Sequence, residues 1–192
     1  MSKHKIAILV SGTGTNAINI IEYFEKNSVA EVVLVISNKT DALAVEKAQN
    51  KGVKTVVFNN ESFKKNGVVL YYLVSQSVDF IVLAGFLIKI SNDIIRAYPN
   101  KIVNLHPSLL PKYGGKGMYG KRVHRAVIEA QESESGISIH FVNKEYDEGA
   151  IIFQAKVSVE KGDSVEVLTK KIQQLEHRFF PKVIEQIISK SL

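Results

Sequence analysis

Short, unbroken apolar runs separated by amphipathic stretches fill the first half of the chain. Residues 5–10, 32–36, 54–58, 80–84 and 102–105 are rich in Val and Ile and do not alternate with polar positions. Continuous apolarity over so few residues marks strands covered on both faces, as in a parallel sheet. Between them, residues 16–26, 41–50, 61–75 and 92–97 carry helical spacing, with Gly52 placed to stop the second helix. Such alternation predicts right-handed crossovers with helices on both faces of one sheet.

The second half reads differently. A glycine-rich loop, 112–120, precedes a helix near 121–131, and two strands, 136–143 and 150–159, follow with only a turn between them. Strands joined by a turn pair antiparallel, so they extend the sheet without another crossover. Ser164 is a suitable N-cap for a last helix running to about residue 189, which Pro181 is expected to kink. The fold class predicted is α/β: a single-domain, Rossmann-like open sheet, mostly parallel with antiparallel C-terminal strands, and helices on both faces.

A length of 192 residues suits one domain. The absence of cysteine excludes disulfide scaffolds, thiolate metal sites and a catalytic thiol, and fits a reducing, cytoplasmic setting. The longest apolar run, 80–88, is nine residues, about half of a bilayer-spanning helix, so no membrane partner is expected. Net charge is +6 and uneven: from Ile94 to Ile128 there are seven Lys or Arg and no acid. That stretch is either a solvated basic face or a docking place for an anion. Helix-turn-helix, RNA-stacking and zinc patterns are missing, so nucleic acid is not expected as a partner.

Three segments carry chemistry. Ser11-Gly12-Thr13-Gly14-Thr15-Asn16 lies between the first strand and first helix, where glycines and free helix N–H groups receive phosphate. A dinucleotide site also wants an acid at the end of strand two, and Ile36-Ser37-Asn38-Lys39 has none, which favours a phosphate monoester. Asn104-Leu105-His106-Pro107-Ser108 ends the fifth strand, and alternation puts Asn104 and His106 on one side of it. An amide N–H can donate to an oxyanion, and an imidazole can exchange protons near neutral pH. Glu145-Tyr146-Asp147-Glu148-Gly149 forms the turn between the last two strands, where an acid taken alone reads as a solvated cap. The five histidines show no metal-ligand spacing, no metal is expected, and no G-x-S-x-G elbow is present.

In chain order these segments, with Leu83-Ala84-Gly85-Phe86 and Gly136-Ile137-Ser138-Ile139-His140-Phe141-Val142, resemble the folate-dependent formyltransferase family over nearly the whole chain. The likeness is to its phosphoribosylglycinamide formyltransferase branch. The resemblance implies formyl transfer from 10-formyltetrahydrofolate, as co-substrate, to the primary amine of glycinamide ribonucleotide in purine synthesis. It places the substrate phosphate on Gly14, Thr15 and Asn16, with Ser11, Gly12 and Thr13 shaping the turn and Glu176 near the ribose. It places the pterin on the main chain of Leu87, Ile88, Lys89 and Ile90, beside Asn104 and the turn with Tyr146, and offers Lys64 or Lys65 for the folate glutamate tail.

Asn104, His106 and Asp147 are then the catalytic groups. His140 either supports Asp147 or has a core or surface role, and the loop 114–120 has the glycines of a lid. The length leaves no room for the extra domains of related enzymes, so residues 1–192 are expected to form one formyltransferase domain. Its phosphate-binding half spans 1–100, and its catalytic and folate-binding half 101–192. Partners are two small molecules, with the protein a monomer or weak homodimer. A deformylase, a tRNA formyltransferase and a non-catalytic nucleotide sensor are the alternatives.

Overall fold

The structure, a computed structural model, describes residues 3–64 and 67–190. Seven strands form one sheet in the order β3-β2-β1-β4-β5-β6-β7. They are β1 (His4–Val10), β2 (Ala30–Ser37), β3 (Lys54–Val57), β4 (Phe80–Leu83), β5 (Ile102–His106), β6 (Glu134–Phe141) and β7 (Ile151–Ser158). The helices are α1 (Thr15–Glu25), α2 (Leu43–Asn50), α3 (Val68–Ser75), α4 (Asn92–Ala97), α5 (Lys121–Glu129) and α6 (Val165–Lys190). The first five strands pair parallel, and β6 and β7 are added antiparallel, as expected from their short connection.

Because successive side chains of a strand point to opposite faces, each parallel strand feeds two cores. On one face Ile6, Ile8, Val10, Val82 and Val103 pack with Ile20 and Phe24 of α1 and with Ile172, Phe180 and Ile184 of α6. On the other, Ala7, Leu9, Leu34 and Ile81 pack with Val69, Leu73 and Ile94 of α3 and α4. This double burial explains the apolar runs. The chain reverses its direction of strand addition at β1 and β4, and the carboxyl ends of these strands open a crevice of the kind where α/β sheets bind ligands.

One expectation changes. The predicted third helix over 61–75 is helical only from Val68, after Gly67 in the left-handed region at φ 62°. Before it, a turn capped by Asn59 buries Phe63 against Phe86, an anchorage that spacing alone does not reveal. Pro181 lies inside α6, which continues to Lys190. A proline at this position cannot donate to the carbonyl of His177, and the Asn19 side chain of α1 fills that vacancy with an N–H···O bond of 2.9 Å. The Ser164 cap is formed, its Oγ accepting from Val167 N at 3.3 Å. Among the described residues, no helix is long and apolar enough to cross a membrane.

Candidate active site

The glycine loop after β1 wraps the start of α1. Gly14 sits at φ 74°, and a Cβ there would stand 2.5 Å from Ala44 Cβ, so only glycine lets α2 approach. A Cβ on Gly12, by contrast, would meet nothing within 4 Å. The first turn of α1 holds no acid, which leaves its free N–H groups and positive dipole end unopposed. Lys47, which the motif does not mark, brings Nζ to 3.0 Å from Thr13 O and adds a cation beside the loop.

On the opposite flank Asn16 Nδ2 donates to Glu176 Oε2 at 2.8 Å. Glu176 is 8% exposed, far from the solvated state usual for a helical glutamate, and burial pushes its carboxyl up to about 7. Asn16 Oδ1 is buried without a partner in the same place. The two side chains come from positions 160 residues apart and meet because α1 and α6 pack on the same sheet face.

The second grouping is set by the β5–β6 register, which puts Asn104 opposite His140 and His106 opposite Ser138. A register irregularity in the β6–β7 pairing falls between Ile139 and His140, next to this corner. Asn104 Nδ2 lies 3.1 Å from His140 Nε2 and 3.4 Å from Asp147 Oδ1. His140 Nδ1 faces its neighbour's carbonyl, Phe141 O, at 2.9 Å. Since a carbonyl only accepts, Nδ1 carries hydrogen in neutral His140 and Nε2 is free to accept from the Asn104 amide. Both N–H groups of Asn104 are therefore turned on protein acceptors, whereas sequence reasoning aimed one at the substrate. The 3.4 Å contact is the weaker and the more readily exchanged.

Asp147 occupies the left-handed region at φ 56° and joins the set from the β6–β7 turn. Its Oδ2 accepts from Gly115 N at 2.9 Å and stands 3.4 Å from His106 Nδ1, while Oδ1 is 3.6 Å from His140 Nε2. Burial pushes its carboxyl up, but His140, His106 and the Gly115 N–H outweigh burial and hold it below the usual range. Burial dominates at His106 and lowers it, opposed by Asp147 and the Tyr113 carbonyl and reinforced by His140. His124 of α5 is also buried, is lowered to about 4 by desolvation and by His106, and its Nδ1 has no partner.

Ser138, noted only as part of the resemblance, bolts the exit of β5: its Oγ accepts from Leu110 N at 2.9 Å and donates to Ser108 O at 2.7 Å. Gln154 of β7 donates to Ser138 Oγ at 2.8 Å and to Leu110 O at 3.1 Å. No local motif marks these two, because their partners belong to other strands.

A cleft opens beside this corner, lined by Leu83, Phe86, Ile88, Ile90, Tyr146 and Asp147 among others. Lys89 spans its rim, 3.8 Å from Glu145 and 5.4 Å from the Tyr146 ring centroid. Leu87, expected in this wall, is not among the lining residues: its N–H donates to Ser11 Oγ at 3.0 Å. Ser11 in turn donates to Asn38 Oδ1 at 2.6 Å, so one hydroxyl ties the glycine loop, the end of β2 and the cleft wall together. Lys64 pairs with Glu61 at 2.9 Å, and Lys65 lies outside the described residues. Among the described residues, no group of three or more His, Cys, Asp or Glu is arranged to hold a metal ion.

An open, mostly parallel sheet with a phosphate-type loop at its switch point and a buried amide, imidazole and carboxylate cluster beside an apolar cleft defines a group-transfer enzyme of the α/β class. The formyl transferase family model matches residues 4–184, and the chain belongs to that family.

Its relatives within the family include phosphoribosylglycinamide formyltransferases. The Haemophilus influenzae enzyme of that name is 39% identical, over 94% of this chain and 85% of its own length. The chloroplastic one of Arabidopsis thaliana is also 39% identical over 96% of this chain, which spans 65% of that relative, just under two thirds. The crystal structure of the Bacillus halodurans phosphoribosylglycinamide formyltransferase superposes with a TM-score of 0.88 at 34% identity, covering 98% of this chain and 97% of that one.

Proposed function

We propose that the protein transfers the formyl group of 10-formyltetrahydrofolate to the amine of glycinamide ribonucleotide, in the cytoplasm, as a monomer or weak homodimer. The observation that carries this reading is that Asn104, His140 and Asp147 line one end of an apolar cleft, with His106 against Asp147, and that the backbone between the lining residues Phe86 and Ile88 is hydrogen-bonded through Ser11 to the glycine loop. Two substrates held this way react as one complex, and positioning alone can supply about 7–11 kcal/mol of the barrier.

In this scheme the N–H groups of Gly14, Thr15 and Asn16 take the phosphate monoester, with Ser11, Gly12 and Thr13 shaping the turn and Lys47 adding charge. Glu176 accepts from ribose hydroxyls, a better use of a buried carboxylate than solitary burial. The pterin lies against Ile88, Lys89, Ile90, Asn104 and Tyr146, where an apolar wall with main-chain donors suits a flat heterocycle. The halves 1–100 and 101–192 divide this labour only loosely, since Glu176 serves the first and Ile88 to Ile90 the second.

The substrate amine attacks the formyl carbon and a C–N bond forms. The Asn104 amide leaves its long contact with Asp147 to donate to the developing oxyanion. The proton released by the attacking nitrogen passes to His106 Nδ1, where Asp147 Oδ2 stabilises the imidazolium. The C–N bond to folate N10 then breaks, and that nitrogen receives the proton. One removed oxyanion donor typically lowers the rate roughly 10²–10³-fold.

The test mixes protein, glycinamide ribonucleotide and 10-formyltetrahydrofolate and follows formylated product together with free formate. Product in proportion to folate consumed is expected. Formate release that does not depend on the amine acceptor would replace this reading with a hydrolase.

A further inference from the structure

Two residues at this corner hold left-handed backbone without being glycine: Asp147 at φ 56° and Tyr113 at φ 57°. Such conformations persist where surrounding contacts enforce them. The carboxylate contacts described above enforce that of Asp147. Tyr113 contributes its carbonyl, 2.8 Å from His106 Nε2. A carbonyl only accepts, so Nε2 is the protonated nitrogen of neutral His106 and Nδ1 is the atom presented to Asp147 at 3.4 Å. The chemistry of the imidazole therefore depends on where one peptide oxygen is held.

What holds it lies away from the cleft. The Tyr113 phenol donates to Glu132 Oε1 at 2.9 Å, and Lys112 Nζ donates to both Glu132 oxygens at 2.9 and 3.1 Å. Glu132 sits in the turn between α5 and β6, anchored by its N–H to Val127 O at 3.3 Å. The chain is pinned on both sides of Tyr113: Ser108 Oγ donates to Lys112 O at 2.6 Å, and Gly115 N donates to Asp147. The Lys112 side chain is 66% exposed, so its ion pair alone contributes little to stability. The phenol bond is the part that reaches the site.

We propose that Glu132 is a positioning residue of the transfer reaction, holding Tyr113 through its phenol so that the Tyr113 carbonyl keeps His106 as the Nε2–H tautomer with Nδ1 directed at Asp147. This deepens the formyl-transfer reading and rests on it for the kinetic consequence, but not for the tautomer. The titratable groups facing His106 are Asp147 from the β6–β7 turn, His140 from β6 and His124 from α5. None of these is altered by a change at Glu132.

The experiment uses full-length protein with ¹⁵N-labelled histidine, the His106 signals being assigned by their loss in His106→Gln. Wild type is expected to show a single Nε2–H tautomer at neutral pH. Glu132→Ala and Tyr113→Phe are expected to give mixed tautomers and to lower kcat about 10-fold, with both KM values within roughly 3-fold. Glu132→Gln keeps an acceptor for the phenol and is expected to retain most of the activity, and Lys112→Ala to change neither readout.

A pure Nε2–H tautomer in folded Glu132→Ala and Tyr113→Phe overturns the proposal, as does a mixed tautomer with unchanged kcat. Should Glu132→Ala fail to fold, Tyr113→Phe, which deletes one oxygen, decides the matter. If wild type transfers no formyl group, the functional reading falls, while the tautomer still reports whether Glu132 positions His106.

Discussion

The glycine loop is hydrogen-bonded through Ser11 to the Gly85–Leu87 segment beside the cleft that Asp147 also lines, yet the loop and the Asp147 corner are built on opposite principles. The loop is local: six consecutive residues, a helix end and a backbone geometry that glycine permits. Its offer to a ligand is mainly main-chain N–H groups, whose character no neighbouring side chain alters. The corner is assembled from β5, β6 and the turn after β6, and its offer is side chains whose charge and tautomer depend on one another. Local backbone sites suit binding, whereas mutually tuned side chains suit a reaction in which charge moves.

That contrast is most directly broken at Asp147. Asp147→Asn keeps the shape but removes the charge facing His106 and His140. It should lower kcat at least ~10²-fold, as should His106→Ala, with KM for both substrates within a few-fold. A steady-state split of this kind is the signature of a group used only in the transition state, and a rise confined to KM would make the corner a binding site.

Gly14→Ala tests the other side. Its Cβ has no room against Ala44 and φ 74° strains it, so the loop must shift. The expectation is about 10-fold in KM for the phosphate-bearing substrate with kcat nearly unchanged. Loss of kcat alone would erase the distinction between the two regions.

Glu176 belongs to the loop by position but to the corner by its altered ionisation, and pH separates the two. Its folded value of about 7 lies above the ordinary 4.5, so the native state retains a proton that the unfolded chain gives up. Stability from this group is therefore full below pH 4.5 and falls as pH rises through about 7, by an amount of order 3 kcal/mol. Thermal melts of the ligand-free protein should show this decline, and Glu176→Gln should flatten it while raising KM. An equal slope in both proteins would remove Glu176 as its source.

The smallest effect concerns the scaffold beneath the loop. Asn19→Ala leaves the His177 carbonyl without its α1 donor and should cost about 1 kcal/mol, measured by denaturant unfolding, with turnover unchanged. In a Pro181→Ala background the helix supplies its own N–H, and the same substitution should cost less.

Much of the fold is legible in the sequence, because strands buried on both faces must be apolar throughout and the Ser11 to Asn16 segment announces its turn. Asn104 and His106 could be paired from alternation alone. Asp147 is joined to them only by the family resemblance and not by spacing, since an acid in a turn is ordinarily solvated. Ser138 and Gln154 carry no local signal, because their partners lie on other strands. The third helix was overextended because helical spacing continues through a turn that exists to bury Phe63.

By itself the sequence determined which residues stand at each strand end and which turns require glycine, since these follow from local sterics and the burial of each strand. Only the tertiary structure decided that Glu176 is raised and Asp147 lowered, and which nitrogen of His106 carries hydrogen. Ionisation and tautomer are set by desolvation and by neighbouring charges and acceptors, and those neighbours come from distant parts of the chain.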